Sequence, residues 1–245
     1  MDNQLLKNIK QFLLNLFFPC FCFGCQKEGT YLCYDCKYLL EILDCDYCLC
    51  EKNPLRVLPS FKNGKCSKCQ DKELSGLYFA IAYKKALTKT LIYKFKYKPY
   101  IKDLSKILAN LLIEHFILTK KNTDAVWNNS ILIPVPLDKN KLKSRGYNQS
   151  EELCKELSKI LKVPLISNCL IKIKETEPQM RLNKLEREKN LHNAFIVKNK
   201  EAIKNKKIFL VDDVYTTGST MQECAKVLKA SGAKQVWGIC IAREG

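Results

Sequence analysis

The sequence predicts an α/β protein: a mainly parallel, twisted sheet flanked by helices, with a small cysteine-rich, zinc-binding module on its N-terminal side. Three observations carry that expectation. From residue 76 onward, β-prone apolar runs alternate with stretches of helical periodicity, an order that gives parallel strands joined by right-handed crossovers. One run, KKIFLV at 206–211, is continuously apolar after its lysines, as suits a strand covered on both faces. Ten of the fourteen cysteines crowd into residues 20–69.

Residues 1–19 place Leu5, Leu6, Ile9, Phe12, Leu13, Leu16 and Phe17 at helical spacing, with Lys7, Lys10 and Asn15 on the other side. That predicts an amphipathic helix docking on the core, with peripheral membrane contact as the alternative. Residues 20–72 hold four Cys-x-x-Cys pairs: Cys22/Cys25, Cys33/Cys36, Cys45/Cys48 and Cys66/Cys69. Two such knuckles complete a tetrahedral site, so two structural zinc ions are expected. Sequential pairing gives one site within 22–36 and another within 45–69. Crossed pairing is also open, and Cys20 or Cys50 can replace a neighbour. A disulfide framework would need an oxidising compartment, and no export signal is legible. In a segment with few large apolar residues, the metal would supply the folding energy.

The stretch EKNPLRVLPSFKNG (51–64) reads as a linker before a domain spanning 75–245. A strand is expected near 76–83, then helices, one with Leu104, Ile107, Leu108, Leu111 and Leu112 on its inner face. ILIPVPL (131–137) reads as a strand and DKNKLKSRGYNQS (138–150) as a polar loop. The helix that follows turns Leu153, Leu157, Ile160 and Leu161 inward, with Ser150 as its expected N-cap. A further strand is expected near 168–173, a charged segment over 174–192 as a mobile loop or a loop with a short helix, then AFIV, a strand over 207–212, a helix near 219–230 ended by Gly232, and a last strand, QVWGICIA.

Lys and Arg outnumber Asp and Glu by 42 to 25, for a net charge of +17. That favours polyanionic partners such as phosphates, nucleic acid or an acidic membrane surface, although a Lys-rich compositional bias explains part of it. No run approaches the ~20 apolar residues of a membrane-spanning helix. The expected setting is cytoplasmic, with the inner face of the membrane left open.

IFLVDDVYTTGST (208–220) puts Asp212 and Asp213 at the carboxyl end of a buried strand, the edge where open α/β sheets bind ligands. Thr216, Thr217, Gly218, Ser219 and Thr220 then lead into a helix, whose N-terminal N–H groups and hydroxyls suit a phosphate dianion. Carboxylates beside such a cup would accept hydrogen bonds from sugar hydroxyls or help hold Mg²⁺. A ribose 5-phosphate meets both halves. Thr220 with Glu223 as a capping box is the structural alternative.

This stretch resembles the phosphoribosyl pyrophosphate (PRPP) motif of type I phosphoribosyltransferases. The resemblance implies that fold, with Asp212 and Asp213 on the ribose and Thr216 to Thr220 on the 5-phosphate. Together with PVPLDKNKLKSRGYNQSEEL (134–153), TEPQMRLNKLEREKNLHNAF (176–195) and the cysteine module, nearly the whole chain is similar to the ComF/ComFC competence proteins. Their likeness implies Arg145 and Gly146 in a pyrophosphate loop, and Gln179, Arg181 and Arg187 in a mobile hood. It also implies a role in natural transformation: handling incoming single-stranded DNA, with a competence helicase as a partner, while PRPP or ribose 5-phosphate binds with Mg²⁺. The alternative is an active PRPP-dependent transferase of unknown acceptor, or a site that senses PRPP without turnover. YKFKYKPY (93–100) interleaves aromatics with Lys94, Lys96 and Lys98, a pattern that fits single strands. At helical spacing Leu91 and Phe95 form a core face instead, leaving the lysines as a solvated one.

Overall fold

Four strands form the central sheet of this computed structural model, which describes residues 19–51, 53–58, 64–174 and 191–244. They are β1 (Gly76–Ala82), β2 (Ser130–Pro134), β5 (Lys207–Tyr215) and β6 (Gln235–Arg243), in the order β1-β6-β5-β2 with every pair parallel. A separate antiparallel pair joins β3 (Leu170–Lys172) to β4 (Phe195–Val197). Before β1 come α1 (Tyr34–Tyr38) and a 3₁₀ turn at Ser67–Cys69; between the strands lie α2 (Ala86–Lys96), α3 (Leu104–Leu118), α4 (Asp124–Trp127), α5 (Lys139–Arg145), α6 (Gln149–Leu161) and α7 (Ser219–Ala230). Within the described residues, the strands, helices and mainly parallel topology predicted from periodicity are present.

Alternation along each strand sorts the core into two layers. Tyr78, Leu132, Phe209, Val211, Ile239 and Ile241 face α2, α3 and α6 on one side. Leu77, Phe79, Ile131, Ile133, Ile208, Leu210 and Cys240 face α7 on the other. The cysteine-rich segment is shared between the two: Cys22, Cys33, Cys36 and Leu40 join the first layer, and Cys48, Leu49, Cys66 and Cys69 the second. Its second half therefore shares with the single helix α7 the covering of that face. Between its halves the buried His115 of α3 is bonded through Nδ1 to the Leu43 carbonyl at 2.7 Å and lies 3.4 Å from Asp46 Oδ1.

Several local expectations change. The polar loop at 138–150 contains α5, because Asp138 accepts from the Lys141 N–H at 2.8 Å as N-cap and Gly146 closes the helix in the left-handed region at φ 78°. Asn148, not Ser150, caps α6: its side chain accepts from the Ser150 N–H at 3.1 Å. β2 stops at Pro134. Part of the expected linker folds back, with Tyr47 and Arg56 forming an antiparallel bridge.

Candidate ligand and metal sites

The C-terminal edge of the sheet carries the acid pair, and neighbours distant in sequence hold each acid differently. Asp213 is buried and meets Lys96 Nζ, at the end of α2, at 2.8 Å. Asp212 is partly exposed; its Oδ1 accepts from the Ser150 hydroxyl at 3.0 Å and from the Asp213 N–H at 2.9 Å. Burial and the adjacent Asp213 charge push the Asp212 carboxyl up to about 7, against the pull of Lys96. Burial works against the Lys96 charge, but the two aspartates outweigh it and raise its pKa. Lys96 is therefore an internal counter-ion, which corrects its expected place on a nucleic-acid surface.

After β5 the chain turns at Gly218, in the left-handed region at φ 78°. A Cβ there would stand 2.1 Å from the Tyr215 hydroxyl oxygen, so only glycine fits without displacing that ring. The Ser219 N–H donates to Thr217 Oγ1 at 3.4 Å, and the Thr217 and Ser219 hydroxyls lie 2.9 Å apart. Gly218 precedes α7 as its N-cap residue. Thr220 lies inside the helix rather than at the N-cap that a capping box needs, and Glu223 accepts from the Asn193 N–H at 3.3 Å. Thr217 and Ser219 open into a polar groove of about 320 Å³ shared with Glu51, Lys72, His192 and Lys226.

Of the residues expected to line a pyrophosphate loop, Arg145 ends α5, donates to Gln149 Oε1 at 2.5 Å and sits 5.5 Å above the Tyr97 ring. Gly146 is the exposed turn after it. Gln179, Arg181 and Arg187 lie outside the described residues, as do residues 1–18 with the expected amphipathic helix. In α2, Leu91 and Phe95 are fully buried, as the core reading requires. Lys94 lies 5.9 Å over the Phe23 ring of the cysteine-rich segment, and Lys98 follows the helix.

Eight cysteines gather into two groups of four, the sulfurs of each group within 4.8 Å of one another. The first is the expected Cys22, Cys25, Cys33 and Cys36. The second is Cys48, Cys50, Cys66 and Cys69; Cys45 stands outside it. The physical reason for that correction is local: the chain bends at Leu49 and brings Cys50 Sγ to 3.4 Å from Cys66 Sγ, while Cys45 sits beside Tyr47 and Arg56. Of the substitutions the sequence left open, Cys50 for its neighbour is the one realised. Both groups fit a tetrahedral zinc. The cysteines are free thiols, and backbone N–H groups of Gly24 and Cys33 donate to Cys22 Sγ at 3.4 Å each, and that of Leu55 to Cys48 Sγ at 3.2 Å. Burial opposes a thiolate at Cys22, but donors from Cys33, Cys25 and Gly24 outweigh it and lower its pKa to about 6.

Sequence reasoning gave Lys96 and Ser150 other roles and missed Gln222 and Arg243. The Gln222 Oε1 accepts from the N–H groups of Glu73 and Leu74 at 2.6 and 3.0 Å. Arg243, 2% exposed, donates to the carbonyls of Cys48, at 2.7 Å, and Cys50. No local pattern shows these contacts, because each residue acts on a partner far along the chain.

The phosphoribosyl transferase domain family matches residues 148–245. Competence protein F of Haemophilus influenzae is 36% identical over 155 residues, 62% of this chain and 67% of that protein. DNA utilization protein YhgH of Escherichia coli K12 is 33% identical over 152 residues, covering 61% of this chain and 65% of its own length. Competence protein ComFC of Streptococcus pneumoniae is 27% identical over 222 residues, 89% of this chain and 90% of that one. The phosphoribosyltransferase match lies on the C-terminal part of the chain, residues 148–245, which carries α6, the acid pair and α7.

Proposed function

The chain belongs to the ComF/ComFC family of competence proteins, and we propose that its phosphoribosyltransferase-like domain binds PRPP or ribose 5-phosphate with Mg²⁺ while the protein handles single-stranded DNA in natural transformation. One observation carries the ligand reading: β5 delivers a partly exposed acid, Asp212, directly beside a glycine-hinged hydroxyl loop that opens α7. Asp212 would accept from a ribose hydroxyl or hold the cation, which supplies charge neutralisation at the pyrophosphate when bound. Thr216 to Thr220 would wrap the 5-phosphate, their hydroxyls and the α7 N–H groups donating. Asp213, fixed on Lys96, would share the ribose through the carboxylate oxygen that Lys96 leaves. Arg145 and Gly146, with hood residues Gln179, Arg181 and Arg187, complete the proposed ligand set.

Calorimetric titration with PRPP and Mg²⁺ tests the reading. Binding is expected for the parent chain and lost in Asp212→Ala/Asp213→Ala; no heat with the parent would overturn it.

For DNA, the surface this reading uses is aromatic and basic. Tyr93 and Tyr97 of α2 are exposed with ring centroids 5.0 Å apart, and Tyr34 and Tyr38 of α1 are 78% and 79% exposed. Lys94 and Lys98 stand beside the α2 pair. Stacking on such rings tolerates any base, and lysines give a salt-dependent backbone term. Anisotropy with a labelled single strand should weaken about tenfold or more in Tyr93→Ala/Tyr97→Ala, at ~1–3 kcal/mol per stacked base. Membrane contact and a helicase partner remain part of the proposal. A second reading, active transfer with pyrophosphate release, is favoured by the groove beside Thr217 and Ser219, which has room for a small acceptor. Pyrophosphate detection across nucleobases and amines decides between them.

A further inference from the structure

Among the described residues, the second cysteine cluster and the turn at 216–220 share a physical connection that the first cluster lacks. Arg243 ends β6 with its guanidinium on the carbonyls of Cys48 and Cys50, two members of the cluster, and between the rings of Phe79 and Tyr215 at 5.6 and 5.5 Å. Tyr215 in turn fills the space that forces glycine at 218. Gln222 closes the circuit with one amide: Nε2 donates to the Tyr215 hydroxyl at 3.4 Å, and Oε1 accepts from Glu73 and Leu74, just after Cys69. Its own N–H donates to the Gly218 carbonyl at 2.8 Å. The groove at Thr217 and Ser219 has Glu51, Asp71, Lys72 and Glu73 of the cysteine-rich segment on its far side. The first cluster faces the opposite layer and is tied to α3 by Lys37 on Glu114 at 2.7 Å.

We propose that the cluster of Cys48, Cys50, Cys66 and Cys69 and the 216–220 turn are energetically coupled through Arg243, Tyr215 and Gln222, so that a sugar phosphate at the turn tightens the metal and the metal shapes the turn. Arg243 and Gln222 are positioning residues in this scheme. Four thiolates around a divalent ion carry a net double negative charge, which the buried guanidinium offsets through the two carbonyls. Without the ion, residues 48–50 are free to spread, and the arginine loses the acceptors that fix it against Tyr215. The inference rests on the 216–220 turn holding a sugar phosphate, as proposed above. Coupling of this kind is reciprocal: each ligand must raise the affinity of the other by one common factor.

The test follows zinc release from the loaded full chain into a chromogenic chelator, with and without saturating PRPP and Mg²⁺. A Cys25→Ser variant, which breaks the first cluster, identifies the second cluster's phase. PRPP should slow that phase at least about fivefold and leave the first cluster's phase unchanged. Gln222→Ala and, as a second variant, Arg243→Lys should keep both ions but lose the slowing. Reciprocally, the Cys50→Ser variant should bind PRPP more weakly by calorimetry, and by the same factor as PRPP tightens zinc when the chelator competition is read at equilibrium. Equal slowing of both phases, or none while calorimetry shows PRPP bound, overturns the coupling and spares the sugar-phosphate reading. Absence of PRPP binding to the zinc-loaded parent overturns both.

Discussion

Asp212 ties the site to pH. Its carboxyl is raised from 3.8 to about 7, so between those values the folded chain holds a proton the unfolded chain has released. Stability contributed by that proton is complete below about pH 4 and is lost as pH rises through about 7. Denaturant melts at pH 5 and pH 8 should therefore differ by on the order of 2 kcal/mol more in the parent than in Asp212→Asn, after allowance for the partial hydration of the group. Lys96 argues through the opposite partner. Removing it leaves Asp213 buried without its cation, and Lys96→Ala should cost about 3 kcal/mol in urea unfolding; adding Asp213→Asn should recover part of that loss. At this scale the sequence showed the acids and the hydroxyl loop because they are contiguous. It did not show what holds them, since Ser150 lies 62 positions from Asp212 and Lys96 looked like one more surface lysine in a chain of 42 basic residues.

The elements were legible where their periodicity is strong and blurred where short polar helices hide in charged segments. β5, α6 and α7 follow from apolar spacing alone, whereas α5 has no buried residue and so left no apolar signature to read. The cysteine spacing misled in one position: a Cys-x-x-Cys rule favours Cys45, but the bend at Leu49 delivers Cys48 and Cys50 together to Cys66 and Cys69. Metal content by mass spectrometry or atomic absorption should therefore fall from two ions to one in Cys50→Ser and stay at two in Cys45→Ser. The turn between β5 and α7 depends on a single glycine. Gly218→Ala combines a left-handed backbone with a clash on Tyr215, and should lower stability by about 1–3 kcal/mol in thermal or urea melts.

The parallel sheet was legible because its strands read as buried runs, but which layer each cysteine cluster would cover was not, since that depends on how the chain wraps β1. The outcome is a molecule whose two clusters complete opposite faces of one sheet, and among the described residues no helix is long and apolar enough to cross a membrane. Stripping both metals should therefore loosen both layers. A loss of about 4 kcal/mol, modest for structural zinc, would lower the melting midpoint by about 10 °C at this chain length, measurable by circular dichroism with and without a strong chelator. The strand order has a consequence for synthesis. β6, which separates β1 from β5, is translated after both, so β1 leaves the ribosome with no neighbour to pair with. At ~5–20 residues per second, the wait from Ala82 to Arg243 is roughly 8–30 s, and through it the nascent chain displays an apolar ribbon that invites chaperone capture.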